Sequence, residues 1–455
     1  MKYLRLTMIV AFVLMAIGAM PAEAQAQGYK FSYKSTINIQ NLANEPTTVE
    51  FSYFYGSGSA TPGDIASTAS IVLAANEFRA ISTLPTDPGF NGSVVIASDN
   101  PVAVVSNLHG SNMIANASYI GSEAGSTTVN IPLLMKDNYG YDTWFTVQNA
   151  SESNATVTVN YSDGTTNSAS VKGGASATFN QALESHPVKV FAATVTSTVP
   201  LVVAVVEESS NVLFAYSGFN SASTNPVMPL INTNNWGYTS SINLMNIGSQ
   251  STSVTISYTP TTGTACTETQ TVPAGQSRTF VSNAFQSTGT TVTSNCVKGK
   301  TFVGSAAVTA NSNSQNLVAV VNQHRLPVNG EAYNGFNTAL ATPKLVLPLL
   351  MDRNYGWFTS ANIMNVGGSA VDIFCDLTGT SVNIDVKNVQ PGQMINKEQL
   401  NAIGNRWTGS ASCFAYQPGT TNIAADGKIV GVVNQLLSGA EDTFMVYEGV
   451  NVSVP

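Results

Sequence analysis

Apolar and polar residues alternate along most of this chain, most clearly within residues 129–225. Residues 141–149 alternate, residues 155–161 (ATVTVNY) alternate again, and a short apolar run, residues 131–135 (IPLLM), precedes them. Residues 168–171 and 175–179 flank Gly173-Gly174, a hairpin signal, and further strand segments follow at 188–196, 201–206 and 212–216. A period of two means a strand with one buried face. The pattern predicts seven or eight strands in about one hundred residues, the rhythm of a β-sandwich with Greek-key or immunoglobulin-like connections. Helical periodicity is weak; residues 396–403 (NKEQLNAI) are the best candidate for one short turn of helix.

The pattern recurs. Read back from an asparagine, NYGYDTWFTVQN ends at Asn149, NNWGYTSSINLMN at Asn246 and NYGWFTSANIMN at Asn365; a worn copy, FSYKSTINIQN, ends at Asn41. These asparagines lie 108, 97 and 119 residues apart, the length of a domain rather than of a solenoid repeat. The sixth strand of each copy carries a paired column, Phe90/Gly92, Val190/Ala192, Phe302/Gly304 and Trp407/Gly409. The next strand reads VAVVSN from Val102, VAVVEE from Val203, VAVVNQ from Val318 and VGVVNQ from Val430; apolar residues at consecutive positions mark cover on both faces. Three copies close on Tyr-x-Gly, at Tyr216, Tyr333 and Tyr447. The expected fold is all-β: four tandem immunoglobulin-like/Greek-key β-sandwich domains at residues 25–128, 129–225, 226–343 (with a long middle insertion) and 344–455. This string of units resembles bacterial secreted cell-surface proteins built of tandem immunoglobulin-like β-sandwich repeats. The resemblance covers residues 25–455 and implies adhesion, a surface layer, or a fibre or matrix component.

Composition agrees with export. Charged residues make up 10% of the chain, against about 25% in ordinary globular proteins. Residues 1–24 read as a secretion signal: Lys2 and Arg5, an apolar run too short for a stable membrane span, then Ala22-Glu23-Ala24 as the cleavage site, with Ala24-Gln25-Ala26 a close alternative. Without them, 16 bases face 25 acids, so no basic stripe is available for nucleic acid. No later segment is long and apolar enough to span a bilayer. The expected location is outside the cell or at a bacterial surface. All four cysteines lie in the second half. Cys266 and Cys296 are expected to staple the insertion of the third unit. Cys375 and Cys413 fall on apolar columns of the third and sixth strands, so a disulfide there would replace a core contact, as in immunoglobulin domains.

Catalytic chemistry is thin. His109, His186 and His324 sit at unmatched places, and no metalloprotease, serine-hydrolase, P-loop or dinucleotide motif occurs. The expected protein is not an enzyme, and no cofactor or metal is implied. The aromatic-Gly-aromatic signature (Tyr139/Tyr141, Trp236/Tyr238, Tyr355/Trp357) could stack on sugars. Counted from the reference asparagine, however, these rings sit at offsets −10 and −8, the same parity as core positions such as Phe145 and Val147. Parity therefore assigns them to the core unless the glycine makes a bend. Trp144 has the opposite parity, where the other copies have Thr36, Ser241 and Ser360. It needs cover from a partner, a neighbouring domain or a glycan, or else is a lone exposed ring under a loop.

The ends differ from the middle. Pro132-Leu133-Leu134, Pro229-Leu230-Ile231 and Pro348-Leu349-Leu350 open units two to four, but ungapped alignment puts Ala24-Gln25-Ala26 there in unit one. Without the signal, unit one lacks its opening strand, and Val450, Val452 and Val454 form an alternating tail. Either the tail of one molecule completes unit one of the next, or unit one is a capped variant and the tail pairs within unit four. The functional expectation is a non-enzymatic extracellular structural protein of a surface, fibre or matrix, joined head-to-tail by strand addition. Its partners would be further copies, other surface proteins or glycans. The alternative is an adhesin or glycan-binding stalk.

Overall fold

The computed structural model describes residues 8–12, 28–110, 115–281, 285, 293–311, 315–325, 327–437 and 443–453. Among them there is no helix, and every strand pairing is antiparallel. The predicted helical turn at 396–403 is replaced by a strand, Met394–Glu398, paired with Trp357–Asn365, and then by turns. Membership of a ladder decides the conformation of so short a segment, whatever its local propensity.

One strand order recurs four times. In the third unit Val227–Thr233, Phe302–Ala310, Thr252–Pro260 and Cys266–Val272 form one sheet, in that spatial order. Ser277–Phe280, Thr239–Asn246, Leu317–Arg325 and Asn329–Asn334 form the other. The fifth strand thus returns beside the second and the sixth beside the third, a Greek-key connection. The seventh lies beside the second rather than the sixth, which departs from immunoglobulin order. In the second unit the sixth and seventh strands are one continuous strand, Val190–Glu208, which passes from one sheet into the other.

The repeat asparagine is a structural lock. Asn149 Nδ2 donates to Ser153 O at 2.7 Å and Val171 O at 3.1 Å, while its Oδ1 accepts from Ser151 N at 3.0 Å. Asn41, Asn246 and Asn365 make the same three kinds of bond, to the loop after the second strand and to the end of the fourth. All four are fully buried. Only an amide donates and accepts at once in this way, which explains why asparagine recurs.

The Pro-Leu motif makes a bulge. Register slips between Ile131 and Leu134, between Met228 and Ile231, and between Leu347 and Leu350. Proline has no N–H to give the ladder, so each opening strand breaks there. The Tyr-x-Gly tyrosine repairs the break: the hydroxyls of Tyr216, Tyr333 and Tyr447 donate to the carbonyls of Leu133, Leu230 and Leu349.

The units do not follow one another as a string or a stalk. The eighth strands, Ala115–Ile120, Leu213–Ser217, Asn329–Asn334 and Phe444–Glu448, contact one another in sequence, and the fourth contacts the first. The chain therefore closes into a ring around four edge strands. Cores run across the seams. Met245, Val318 and Val320 join the core of the second unit, Val430, Val432 and Phe444 that of the third, and Val105 that of the fourth. This accounts for the consecutive apolar residues of the seventh strands: one face meets its own sandwich, the other meets the preceding unit.

Edge strands meeting at an axis leave backbone groups without ladder partners. Side chains from neighbouring units supply them. The Glu331 carboxylate accepts from Ser118 N at 2.7 Å and Ala215 N at 2.9 Å, and Glu448 accepts from Asn334 N. Ser217 Oγ donates to Ile120 O at 2.8 Å, and Asn334 Nδ2 donates to Ser217 O at 2.7 Å.

Both disulfides are formed. Cys266–Cys296 ties the start of a fourth strand to the inserted segment of the third unit. Cys375–Cys413 is fully buried, but it joins directly opposed residues of two neighbouring strands in one sheet. It sits in the core as expected, and it is a cross-strand link because the third and sixth strands are ladder partners. The two disulfides fit an oxidising compartment. No helix among the described residues is long and apolar enough to cross a membrane.

Candidate functional site

Each of the last three units turns from its opening to its second strand over two residues. Asn138 pairs with Tyr141, Asn235 with Tyr238 and Asn354 with Trp357, each by two backbone bonds of 2.8–3.1 Å. The central residues have φ of 52° and 84° at Tyr139-Gly140, 53° and 85° at Trp236-Gly237, and 50° and 90° at Tyr355-Gly356. Two positive φ values make a type I′ hairpin turn, whose first central position is normally Asn, Asp or Gly. A bulky aromatic there is sterically unfavourable by about 1 kcal/mol.

These turns overturn the parity argument for half of the rings. The chain reverses at offset −10, so that position is a turn tip and not part of the strand. Tyr139, Trp236 and Tyr355 are 96%, 88% and 77% exposed. The rings at −8 keep the inward direction. Tyr141 lies edge-on to Phe214, Tyr238 lies edge-on to Phe444 with Arg325 over its other side, and Trp357 is buried.

Around Tyr139 the surface is concave. A groove of about 390 Å³ is lined by Tyr139, Tyr141, Lys30, Ser209, Asn211 and Pro327, residues from the first three units. Lys30 Nζ is held 2.7 Å from Asp142 and donates to Gly140 O at 2.6 Å, which fixes its charge at the rim. An aromatic wall with hydroxyls, amides and one anchored cation suits a neutral or mildly acidic polyhydroxylated ligand. The related turn in the fourth unit has Arg406 over the Tyr355 ring at 5.0 Å. Sequence reasoning missed Lys30, which the first seam brings beside Tyr139, and the loop of Ser209 and Asn211, which the pairing of Asp142 with Glu208 places there. The Asn-x-Gly turn signature itself was legible.

Trp144 is not available to a partner. It is fully buried in the seam between the first two units, edge-on to Tyr29 and Tyr33, each at 5.3 Å. Its cover comes from the neighbouring unit of the same chain. Val450 and Val452 lie in a short strand, Val450–Val452, paired with Lys344–Asp352 of their own unit. Val454 lies outside the described residues.

Titratable groups gather in two other places. His186 Nδ1 is 2.8 Å from Asp163, and Tyr161 donates to Glu184 at 2.8 Å, inside the second unit. Burial pushes the Asp163 carboxyl up, but bonds from Thr165 and His186 outweigh it and hold the group below its usual range. The Thr165 hydroxyl donates to Asp163 at 2.7 Å and lies 3.2 Å from His186 Nδ1, and the imidazole stacks on Phe191, so the group forms a packed hydrogen-bond cluster. The second place is the set of seams. Glu207 accepts from Asn322 at 2.7 Å, Glu208 from Tyr33 and from Lys30 N, and Glu448 from Asn334 N. Burial outweighs these bonds and pushes Glu207 up to about 8, and Glu208 and Glu448 up to about 7.

No protein-family model matches the chain, and no curated protein matches it.

Proposed function

We propose that this is an exported, non-catalytic bacterial surface protein that attaches to polysaccharide through the end of the ring carrying Tyr139, Trp236 and Tyr355. The observation that carries the reading is the repeated placement of a large exposed ring at a turn position where Asn or Gly would be more stable. A fold built for stability alone gains nothing from that choice three times over. Stacking on sugar rings uses a free aromatic face; Tyr139 and Trp236 are the most exposed, Tyr355 carries Arg406 over its ring and is still 77% exposed, and several such rings on one body multiply weak contacts. The groove beside Tyr139 adds hydroxyl, amide and ammonium groups that fix orientation.

The test is retention on insoluble polysaccharides such as cellulose, chitin and peptidoglycan sacculi. The triple variant Y139N/W236N/Y355N should lose at least about ten-fold in retention on whichever polymer holds the parent, since each stacking contact is worth about 1 kcal/mol. Equal retention of the variant, or none of the parent on any polymer, overturns the reading. A structural role in a fibre is a second reading, favoured by one observation in the first unit.

A further inference from the structure

The opening strands of the last three units each fill a slot along their own sixth strand, against the next unit. Two of them read Val129-Asn130-Ile131-Pro132 and Leu345-Val346-Leu347-Pro348. In the first unit, the outer half of this slot holds Met8–Phe12, inside the segment read as a secretion signal. Its register is the native one. Val10, Ala11 and Phe12 stand opposite Ile96, Val95 and Val94, as Val129, Asn130 and Ile131 stand opposite Val195, Thr194 and Ala193; Ile96 and Val195 in turn pair with Phe51 and Val159, each ten residues past its repeat asparagine. The inner half, where Pro-Leu-Leu lies elsewhere, is a cleft of about 370 Å³ between the first two units, lined by Tyr29, Gly56, Asn91, Ser176, Thr178 and Leu183. Leu183 stands 64% exposed at its rim.

The chain carries one more segment of the slot's pattern. Val452-Ser453-Val454-Pro455 shares with Val129-Asn130-Ile131-Pro132 and Leu345-Val346-Leu347-Pro348 the order apolar, any residue, apolar, proline. Within its own unit the described part of this segment is a short edge strand, paired Val450 to Val346, Asn451 to Leu345 and Val452 to Lys344, with Asn451 Nδ2 also donating to Ile429 O at 2.9 Å and Thr342 Oγ1 to Val452 O at 2.9 Å; all three residues are half-buried. A three-residue, half-buried edge strand buries little where it lies, whereas the first unit without its signal exposes an unpaired strand edge.

We propose that the signal segment serves as a temporary opening strand, and that its removal frees a slot which takes residues 450–455 of a second copy of this chain. Hydrolysis of the bond after Ala24 by a processing peptidase consumes one water and releases the signal segment. Each molecule then offers one slot and one strand on different surfaces, so the contact does not close on itself and copies join head to tail.

The mature chain is purified from the secreted fraction and its mass distribution followed by light scattering and electron microscopy. Concentration-dependent linear oligomers are expected. A synthetic peptide of the sequence Ser126–Met135, the slot's own filler in the second unit, should bind the mature chain and return it to monomer. The double variant V452D/V454D should remain monomeric yet still bind that peptide, which shows its slot is folded. A form with the signal retained should neither assemble nor bind the peptide. Monomeric mature chain at every concentration, failure of the mature chain to bind the peptide, or undiminished oligomers from the double variant overturns the proposal. The Y139N/W236N/Y355N variant should assemble as the parent does, so this result and the polysaccharide result are read separately.

Discussion

The first unit and the other three place the same offset in opposite environments. At −10 from the repeat asparagine, Tyr139, Trp236 and Tyr355 stand out in solvent, while Phe31 is 5% exposed. At −5 the first unit has Thr36 and the second has Trp144, and it is Trp144 that receives the first unit's aromatic residues. The other seams are filled by a Pro-Leu opening strand. At the first seam Tyr29, Phe31 and Tyr33 pack where such a strand would lead into its turn. Where the opening strand carries no Pro-Leu bulge, the segment of Tyr29, Phe31 and Tyr33 folds inward, and the neighbour offers a tryptophan to meet it. Two solutions to one seam, a bulged strand and an aromatic cluster, coexist in one ring.

The strongest way to break that comparison is to remove the tryptophan. Trp144→Ala leaves a cavity that Tyr29 and Tyr33 cannot collapse into while the Tyr33 hydroxyl and the Lys30 backbone are tied to Glu208. The expected loss is about 3–5 kcal/mol in denaturant unfolding, with early proteolysis confined to the first unit. A loss below about 1 kcal/mol would mean that the aromatic cluster does not hold the seam.

Next in size is the asparagine lock, which the units share. Asn149→Asp removes both donors to Ser153 O and Val171 O and puts a charge in the core, for an expected loss of about 3 kcal/mol. Asn41→Asp should cost the same within about 1 kcal/mol, because its three bonds are the same although its opening strand is not. A much smaller cost at Asn41 would show that the first unit is loosened as a whole.

How much of this was legible in the sequence follows from which interactions are local. Strand rhythm, the asparagine column, the Pro-Leu motif and the Tyr-x-Gly close all lie within one unit, and the period-two pattern found the strands. Parity failed at Tyr139, Trp236 and Tyr355 because it assumes a continuous strand, and two residues of positive φ end one. Trp144 could be seen to need cover, but a pattern along the chain cannot say which unit supplies it. The ring was hidden for the same reason. Val202, Val318 and Val430 announce a second buried face, and nothing in the sequence names the surface that buries it. Glu331 and Glu448 look like ordinary strand-edge acids until four edges converge on them.

The seams also differ in how they answer pH. Glu208 lies in the first seam, Glu207 in the second and Glu448 in the third, whereas the closing seam is held by neutral groups, with Asn107 and Ser118 donors or acceptors to Gln435. Each of these carboxyls titrates higher in the folded ring than in the unfolded chain, where about 4.3 is usual. Their contribution is complete below that value and is lost as pH rises through about 7 for Glu208 and Glu448 and about 8 for Glu207. Melting temperature should therefore fall between pH 5 and pH 8.5. Glu207→Gln, which keeps the acceptor for Asn322, should flatten that fall and raise stability at pH 8.5 by about 1–2 kcal/mol. An unchanged slope in this variant would remove the second seam from the account.

The smallest expected effect separates the two kinds of −10 residue most sharply. Tyr139 holds φ at 52° with its ring in solvent, so Tyr139→Asn gives up almost no packing and relieves an unfavourable left-handed conformation. The variant should unfold at slightly higher denaturant, by about 0.5–1 kcal/mol. Phe31→Asn, at the same offset, empties a buried site and strands an amide beside Tyr33, so it should destabilise by about 3 kcal/mol. Opposite signs at one repeat position would show that the exposed rings are kept at the expense of stability. Were Tyr139→Asn destabilising instead, the ring would be packing on something at that end of the ring structure, and the argument for a free stacking face would fall with it.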